Sequence, residues 1–273
     1  MIGKVQQSNH ERGTAGEVIA ARNAVKEYPG GILALDGLSV TLYRGEMVGI
    51  LGPSGAGKTT FLRLLNGSLT PSAGEIRVLG QSLKGIKTGE LRRLRSRMSL
   101  VQQNHNIIPS LSVAHNVLMG KLGKISTVGA ARMLLYLTRE ERDEVAEVLG
   151  RLEIGDKLFS RCGELSGGQQ QRVAVARAIL ADPEIIMADE PIASVDPRTA
   201  EVVMNQFRRL NSLGKTVILN LHQVDFALQY CTRLLVLSRG KLVFDGLPED
   251  YRGREIFERS FAGEERRVCC AEA

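Results

Sequence analysis

Several short segments of this 273-residue chain are apolar at nearly every position. Met47–Leu51 leads into a glycine-rich stretch, Ile185–Ala188 precedes Asp189, and Val217–Leu221 precedes His222. Continuous apolarity over so few residues predicts strands that are buried on both faces, as in a parallel sheet. We therefore expect a parallel core sheet that carries glycines or polar residues at the ends of its strands.

Other segments alternate between apolar and polar residues. Leu38–Leu42 and Glu75–Val78 show this pattern, which is typical of an antiparallel sheet with one solvated face. Leu234–Leu237 and Leu242–Phe244 flank Ser238–Lys241, and this arrangement predicts a β-hairpin. The chain is thus expected to add antiparallel strands to its parallel core.

Helical periodicity dominates two regions. Thr59–Leu65 follows the glycine-rich stretch, and the pattern from Ile107 to Gly163 is mainly helical. Thr138–Glu141 forms a capping box. The apolar residues that follow it on one helical face are Val145, Val148, Leu149 and Leu152. We expect one domain over residues 18–250, with a helical subdomain over about 105–165 and tails at 1–17 and 251–273.

The chain carries a net charge of +6, from 36 Lys and Arg against 30 Asp and Glu. The most basic run consists of Arg92, Arg93, Arg95 and Arg97, and a nucleic acid is one possible partner for such a run. Leu91, Leu94 and Met98 share its helical spacing, which favours an amphipathic helix with the arginines in solvent. No aromatic residue is interleaved for base stacking, so we expect no nucleic-acid partner.

The sequence also limits the compartment. No run approaches the length of a membrane span, and the first residues are too polar for a signal peptide. Any membrane contact is therefore expected to come through a partner. The cysteines Cys162, Cys231, Cys269 and Cys270 show no metal-ligand spacing and fit a reducing compartment. Glu272 is not aliphatic, so the last four residues match a prenylation motif poorly.

A complete phosphate-binding loop follows the first buried segment. Its residues are Gly52, Pro53, Ser54, Gly55, Ala56, Gly57, Lys58 and Thr59, with Thr60 next in the predicted helix. Glycines let successive N–H groups point inward at phosphate oxygens, and the helix start adds its positive end. Lys58 supplies a full positive charge, and the Thr59 hydroxyl is the expected Mg²⁺ ligand. This motif predicts binding of a nucleoside triphosphate.

Acidic and polar residues at the ends of the other buried strands are of the kind that hydrolyse a nucleoside triphosphate. Asp189 is expected to hold Mg²⁺ opposite Thr59. Glu190, one residue further on, is placed to orient or deprotonate the attacking water and is our candidate catalytic residue. His222, beyond the next buried segment, is predicted to contact the γ-phosphate.

Leu165–Gln169 reads Leu-Ser-Gly-Gly-Gln and lies upstream of the acidic strand end. Together with the phosphate loop, this motif resembles the signature of ATP-binding-cassette (ABC) ATPases, and the resemblance extends from about Tyr28 to Gly246. It implies an α/β fold of the P-loop NTPase class, an ABC-type nucleotide-binding domain with a RecA-like parallel core, an antiparallel β subdomain and a helical subdomain. It also implies ATP and Mg²⁺ as cofactors.

The resemblance assigns further roles. Tyr28 matches the aromatic residue on which adenine stacks, although a surface tyrosine is an alternative. Gln103 resembles the glutamine that links Mg²⁺ and the attacking water to the helical subdomain, and the choice between it and Gln102 rests on the interval to Pro109. The residues that reach the partner's nucleotide in such a dimer are Ser166, Gly167, Gly168, Gln169 and Asp196.

One phosphate loop and one signature per chain imply a head-to-tail dimer with two composite sites. Ser194–Asp196 resembles the segment that crosses between the halves, with Val195 where leucine is commoner. Three functional classes fit such a cassette, namely a transporter subunit, a soluble cassette of DNA repair or translation, and a regulatory cassette without turnover. The chain lacks a long coiled-coil insertion and a second cassette, and its catalytic set is complete, so we favour transport.

A close resemblance to the ATP-binding subunit of bacterial phosphonate importers is carried by Asn220–Asp225 with Ala227–Cys231. Leu122–Lys124, Ser126–Glu141, and Ser166–Arg172 with its three glutamines resemble the same family. This likeness implies two copies of the ATPase beneath two integral-membrane permease subunits, at the cytoplasmic face of the inner membrane. A periplasmic solute-binding protein would deliver the cargo. Importers of phosphate, phosphite or a polar amino acid are the alternatives, and a lipoprotein-release cassette is a more distant one.

Overall fold

The computed structural model describes residues 16–104, 106–193 and 195–252. The expectations for the tails before residue 16 and after residue 252, and for Ser194, Cys269 and Cys270, lie outside the described residues. The chain divides into two compact units. Of the described residues, 16–86 and 218–252 belong to the first unit, and those within Lys87–Val217 belong to the second.

The helices and strands have the following bounds. In chain order they are β1 (Glu17–Tyr28), β2 (Ile32–Tyr43), β3 (Met47–Leu51), α1 (Lys58–Leu65), β4 (Ala73–Val78), β5 (Gln81–Ser82), α2 (Thr88–Arg95), β6 (Met98–Val101), α3 (Val113–Leu118), α4 (Thr127–Leu135), α5 (Arg139–Arg151), α6 (Gly167–Leu180), β7 (Ile185–Asp189), α7 (Pro197–Ser212), β8 (Thr216–Asn220), α8 (Val224–Tyr230), β9 (Arg233–Ser238), β10 (Lys241–Gly246) and α9 (Pro248–Arg252). Short 3₁₀ turns follow α3 and α5 and precede α6. The boundary between the two units falls inside β8.

The first unit contains an antiparallel sheet in the order β2-β1-β4-β5. Within β2, Leu38, Val40 and Leu42 are buried and Ser39 is exposed. The predicted alternation is therefore confirmed, because one face of this sheet meets the core and the other meets solvent. β1 was not predicted; its register shifts between Ala21 and Ala24, which interrupts the period of two that marks a strand.

The same unit holds strands in the order β10-β9-β3-β8. β3 is parallel to β9 and buried along its whole length, as its continuous apolarity predicts. β9 and β10 are antiparallel and joined by Arg239 and Gly240, both with positive φ. Two such residues form the tight turn that matches strand twist, so the predicted hairpin is confirmed. β8 begins and ends one residue earlier than predicted, so Leu221 separates it from His222.

A partly buried charged network lies between strands of this unit. The Arg233 guanidinium donates from Nε and Nη2 to the two carboxylate oxygens of Asp245, each at 2.7 Å. Its Nη1 donates to both Glu46 oxygens, at 3.2 and 3.3 Å, and to the Thr41 carbonyl at 2.9 Å. Burial would lower the pKa of Arg233, but the bonds and charges of Asp245 and Glu46 outweigh it and hold the pKa above its ordinary value. The guanidinium thereby joins β2, β9 and β10.

We expect Arg233→Met to lower the free energy of unfolding by about 2–3 kcal/mol, below the full cost of breaking a buried pair, because it leaves the buried Glu46 and the half-buried Asp245 without their cation. Urea denaturation of wild type and variant measures this change. Lys241→Met is the control, since Lys241 pairs with Asp36 in solvent and such pairs contribute at most about 1 kcal/mol. Equal losses of unfolding free energy for the two variants would contradict a special role for the Arg233 network.

The second unit pairs β6 with β7 in parallel, from Met98 opposite Ile185 to Val101 opposite Ala188. Helices α3, α5 and α6 pack against one another. α5 begins with the predicted capping box, in which Thr138 and Glu141 exchange bonds with each other's backbone. Its apolar face is buried as predicted, so the mainly helical character expected between residues 107 and 163 is present.

The basic run forms a solvated surface, with one correction to the predicted helix. Arg92, Arg93, Arg95 and Arg97 are all exposed, and Leu94 beneath them is buried. The helix ends at Arg95, and Met98 is the first residue of β6, so assigning Met98 to the helix was wrong. Its burial comes from strand pairing. In the part of the chain that the structure describes, no helix has the length and apolarity that crossing a bilayer requires.

Candidate functional site

The phosphate-binding loop connects β3 to α1 in the first unit. Gly52, Gly55 and Gly57 have positive φ angles of 142°, 74° and 102°. A Cβ on Gly52 would lie 2.1 Å from the Leu237 carbonyl oxygen, and one on Gly57 would lie 2.3 Å from that of Ala34. Glycine is therefore required at both positions, for backbone conformation and for space.

Lys58 is the first residue of α1 and only 5% exposed. Its Nζ donates to the carbonyl oxygens of Gly52, at 2.6 Å, and Pro53, at 3.0 Å. These bonds fold the side chain back along the loop. The ammonium group and the start of α1 bring positive charge to the same place, as an anionic phosphate requires. Ala56 is buried within the loop, and Ser54 and Gly55 are exposed.

Tyr28, the last residue of β1, lies next to the first turn of α1. Its hydroxyl is 3.5 Å from Oγ1 of Thr60, and Lys26 Nζ lies 5.5 Å from the centre of its ring. The tyrosine and Thr59 are both half-buried. The structure thus brings the predicted adenine-stacking residue and the predicted phosphate contacts of α1 into one region of the first unit.

His222 follows β8 and is exposed. The N–H of Leu221, just before it, donates to the carbonyl oxygen of Ile50 at 3.1 Å. Ile50 is two residues before Gly52, so the ends of β3 and β8 meet at this bond. His222, the predicted γ-phosphate contact, therefore follows the same sheet edge from which the phosphate loop leaves β3.

The carboxylates of the second unit follow one another at the end of β7. Asp189 is its last residue and is 8% exposed, and Glu190 is half-buried just beyond it. Nε2 of Gln103 donates to Oε2 of Glu190 at 3.1 Å. Of the two neighbouring glutamines that the sequence left open, Gln103 is thus the one whose amide reaches the candidate catalytic residue. This bond orients the carboxylate.

Glu190 has an unusual backbone. Its φ is +55°, a left-handed value that is uncommon for a residue other than glycine and has to be imposed by its surroundings. The Glu190 carbonyl oxygen accepts a bond from the N–H of Ala193 at 3.1 Å, which closes a tight turn through Pro191. The geometry of this turn decides where the carboxylate points.

The signature motif forms the start of α6. Ser166 caps the helix by accepting from the N–H of Gln169 at 3.4 Å, and Oε1 of Gln169 accepts from the N–H of Ser166 at 3.0 Å. Ser166 and Gly167 are exposed. A small-residue helix start in solvent allows a close approach of a phosphate to the backbone. The nearest heavy atom to a Cβ built on Gly168 would be Cγ1 of Val195, at 3.7 Å.

Asp196 caps the next helix, α7. Its carboxylate accepts from the N–H of Thr199 at 3.0 Å, and Pro197 occupies the first helical position. Hydrogen bonds from the Thr199 side chain and backbone hold the pKa of Asp196 below its ordinary value. The carboxylate is therefore ionised near neutral pH and fixed in orientation beside the signature motif of the same unit.

Sequence reasoning missed the polar residues that hold these motifs in place. Gln170 donates to the carbonyl oxygens of Cys162 and Leu165, each at 3.2 Å. Gln171 donates to that of Pro191 at 2.7 Å, and Arg177 to that of Asn106 at 2.7 Å. A run of three glutamines on a helix was the available signal, but the partner of Gln171 lies 20 residues away in the chain.

The described cysteines are structural. Cys162 and Cys231 are both buried and form no disulfide. Burial raises the pKa of Cys162 to about 11 and that of Cys231 to about 12. Because the thiolate is the reactive form, neither thiol is suited to nucleophilic chemistry.

The comparison with known families decides what this arrangement belongs to. Residues 35–193, more than half of the chain, match the family model described as ABC transporter. The chain belongs to the ABC transporter family. The resemblance seen in the signature motif is confirmed, and the chain is an ABC ATP-binding domain.

Curated relatives of this ABC domain extend over most of its length. The chain is 42% identical over 246 residues to the phosphonates import ATP-binding protein PhnC of Thiobacillus denitrificans, covering 88% of this chain and 93% of the relative. It is 38% identical over 252 residues to phosphonates import ATP-binding protein PhnC 2 of Oceanobacillus iheyensis, covering 92% and 98%. Both alignments reach well beyond the family model.

Solved structures show the same fold. A dimeric ATP-binding cassette in a post-hydrolysis state, bound to ADP and Pi, is 31% identical with a TM-score of 0.76, covering 84% of this chain and 98% of its own. A nucleotide-free ATP-binding cassette from an ABC transporter is 27% identical with a TM-score of 0.72, covering 90% and 95%. The predicted ABC-type α/β fold of the P-loop NTPase class is therefore confirmed.

Proposed function

We propose that this ABC domain is the ATP-hydrolysing subunit of an importer that carries phosphonates. The observation that carries the proposal is the high identity, over nearly the whole chain, to proteins named phosphonates import ATP-binding protein. The bond between Gln103 and Glu190 supports the hydrolytic part of the proposal, because it provides an oriented carboxylate next to Asp189.

ATP would bind first to the loop of the first unit. Tyr28 stacks on the adenine, as aromatic residues do on bases. The loop N–H groups, Lys58 and the first turn of α1 hold the β- and γ-phosphates. The hydroxyl of Thr59 and the carboxylate of Asp189 are hard oxygen donors of the kind that Mg²⁺ takes together with substrate phosphates. When bound, Mg²⁺ would neutralise charge on those phosphates.

Hydrolysis would then depend on Glu190. Its carboxylate, oriented by Gln103, positions a water molecule and takes its proton as the oxygen attacks the γ-phosphorus. His222 contacts the γ-phosphate and stabilises the charge on it. The bond to the β-phosphate breaks, and ADP and phosphate result.

A second copy of the chain would complete each site. The exposed start of α6, with Ser166, Gly167 and Gly168, has the small residues and free approach that a partner's γ-phosphate requires. Gln169 and Asp196 lie beside it and complete this surface. A head-to-tail dimer is in keeping with the dimeric form of the related cassette bound to ADP and Pi. Loss of the γ-phosphate would release the two copies from one another.

The dimer would transmit this cycle to the membrane. We place it at the cytoplasmic face of the inner membrane, beneath two integral-membrane permease subunits. A periplasmic binding protein would deliver the phosphonate from the other side. Closing and opening of the dimer would pull on the permeases through the helical region of the second unit.

Growth on an alkylphosphonate as the sole phosphorus source tests this proposal. The strain lacks this gene and any other phosphonate importer, and it is complemented with wild type, Glu190→Gln or Glu184→Gln. We expect wild type and Glu184→Gln to restore growth and Glu190→Gln to fail. Glu184 is a matched control, because it is also a glutamate beside β7 but lies before the strand and pairs with Arg97.

The remaining outcomes of this growth experiment show which part of the proposal is wrong. Growth of the uncomplemented strain on the phosphonate would exclude this cargo. If the uncomplemented strain grew on the phosphonate but failed to grow when phosphite, phosphate or a polar amino acid was supplied, the cargo would be that solute. Full rescue by Glu190→Gln would contradict the catalytic assignment.

A further inference from the structure

We infer that Gln171 is a positioning residue that orients the Glu190 carboxylate through the carbonyl group of Pro191. The inference deepens the proposed function and rests on it, since it presupposes that Glu190 activates the attacking water. It adds a residue that the phosphate-loop, signature and carboxylate motifs do not contain. All of its contacts lie within the second unit.

Gln171 is unusual among the polar residues of α6. It is the fifth residue of the helix and only 2% exposed, so its amide is removed from solvent. Nε2 donates to the carbonyl oxygen of Pro191 at 2.7 Å, at the short end of the range for such bonds. A buried amide is expensive unless it is bonded, so this contact fixes both partners.

The partner belongs to the turn that carries Glu190. The left-handed φ of Glu190 is strained for a residue with a side chain, and such conformations persist only where the surroundings impose them. Inside the turn, the bond from Ala193 N–H to the Glu190 carbonyl and the fixed φ of Pro191 restrict the backbone. The Gln171 bond anchors this turn to a long helix. Without it, the turn can shift and carry the carboxylate away from the position set by Gln103.

The same helix also contacts the loop that follows Gln103. Nη1 of Arg177 donates to the carbonyl oxygen of Asn106, in the loop that follows Gln103. The exposed signature residues lie at the start of this helix. α6 therefore joins the surface offered to the partner copy with the turn that carries Glu190 and with the loop that follows Gln103.

The test is Gln171→Met, which keeps the length and bulk of the side chain and removes the donor. We expect kcat for ATP hydrolysis to fall about tenfold or more, with the KM for ATP changed less than about threefold, because a misplaced catalytic group slows chemistry and leaves binding intact. Gln206→Met is the matched control. Gln206 also donates from Nε2 to a backbone carbonyl, that of Arg151 at 3.1 Å, but on α7. The kcat of the Gln206→Met variant should stay within about twofold of wild type.

Two further measurements separate positioning from general damage. In the Glu190→Gln background, Gln171→Met should change the residual rate less than about twofold, since two residues that act through one carboxylate are not additive. Gln171→Leu should show the same loss as Gln171→Met, because both lack the donor although they differ in shape. Losses that differ between the two variants, or a full additional loss in the Glu190→Gln background, would overturn the inference.

Failure of the inference can be told from failure of the proposed function. If Glu190→Gln alone retains turnover, the catalytic assignment is wrong. Thermal unfolding first shows that Gln171→Met is folded. If Glu190→Gln then abolishes turnover while Gln171→Met keeps the wild-type kcat, the assignment of Glu190 stands and the role given to Gln171 is wrong.

Discussion

Glu190→Gln is expected to bind ATP with unchanged affinity, to hydrolyse it at least about 100-fold more slowly and to accumulate as a dimer. The new amide has the shape of the carboxylate, and its oxygen can still accept the bond from Gln103. The negative charge and the ability to take a proton are lost. Phosphate contacts do not involve this side chain, so ATP remains bound and continues to hold two copies together.

Phosphate release and size exclusion in ATP and Mg²⁺ measure both effects. Glu184 lies just before the first residue of β7 and pairs with Arg97. Glu184→Gln should leave turnover within about twofold of wild type, because surface ion pairs of this kind contribute little. Equal turnover for Glu190→Gln and wild type would remove Glu190 from catalysis. A variant that stays monomeric in ATP while losing turnover would contradict the proposed dimer.

Lys58→Met is expected to weaken ATP binding about 100-fold and to abolish measurable hydrolysis. The ammonium is almost fully buried beside the loop that receives the phosphates. Loss of a buried cation that faces an anion costs about 2–5 kcal/mol, and about 2.7 kcal/mol corresponds to 100-fold in affinity. Titration with a fluorescent ATP analogue measures the change directly.

Two variants sharpen this second prediction. Lys58→Arg keeps the charge but places a wider, planar group where Nζ reaches the carbonyls of Gly52 and Pro53, so we expect it to fail as well. Lys241→Met removes an exposed lysine of the same unit and should leave affinity unchanged. Normal binding by Lys58→Met would show that the loop does not hold the phosphates.

What the sequence could predict was local. The buried strands β3 and β7 were predictable because burial on both faces leaves a continuous apolar run. The capping box of α5 and the turn between β9 and β10 were predictable because each depends on residues a few positions apart. The phosphate loop and the signature were recognisable for the same reason.

What it could not predict depends on distant contacts. The bond from Gln171 to Pro191 and that from Arg177 to Asn106 join residues with no shared local pattern. The partly buried network of Arg233 joins strands from opposite ends of the chain. The left-handed backbone of Glu190 is imposed by its surroundings and contradicts its intrinsic preference. These features are determined by tertiary structure and leave no local pattern in the sequence.

The most direct test of the proposed function is phosphonate uptake by proteoliposomes that contain this chain with its permease subunits, trap ATP and Mg²⁺ inside and have the binding protein outside. We predict uptake of radiolabelled methylphosphonate with wild type, none with Glu190→Gln, and competition by unlabelled phosphonate but not by phosphate. Uptake that continues with Glu190→Gln or without ATP would contradict the proposal that this ATPase drives phosphonate import. Uptake that is suppressed by unlabelled phosphate but not by unlabelled phosphonate would contradict it as well.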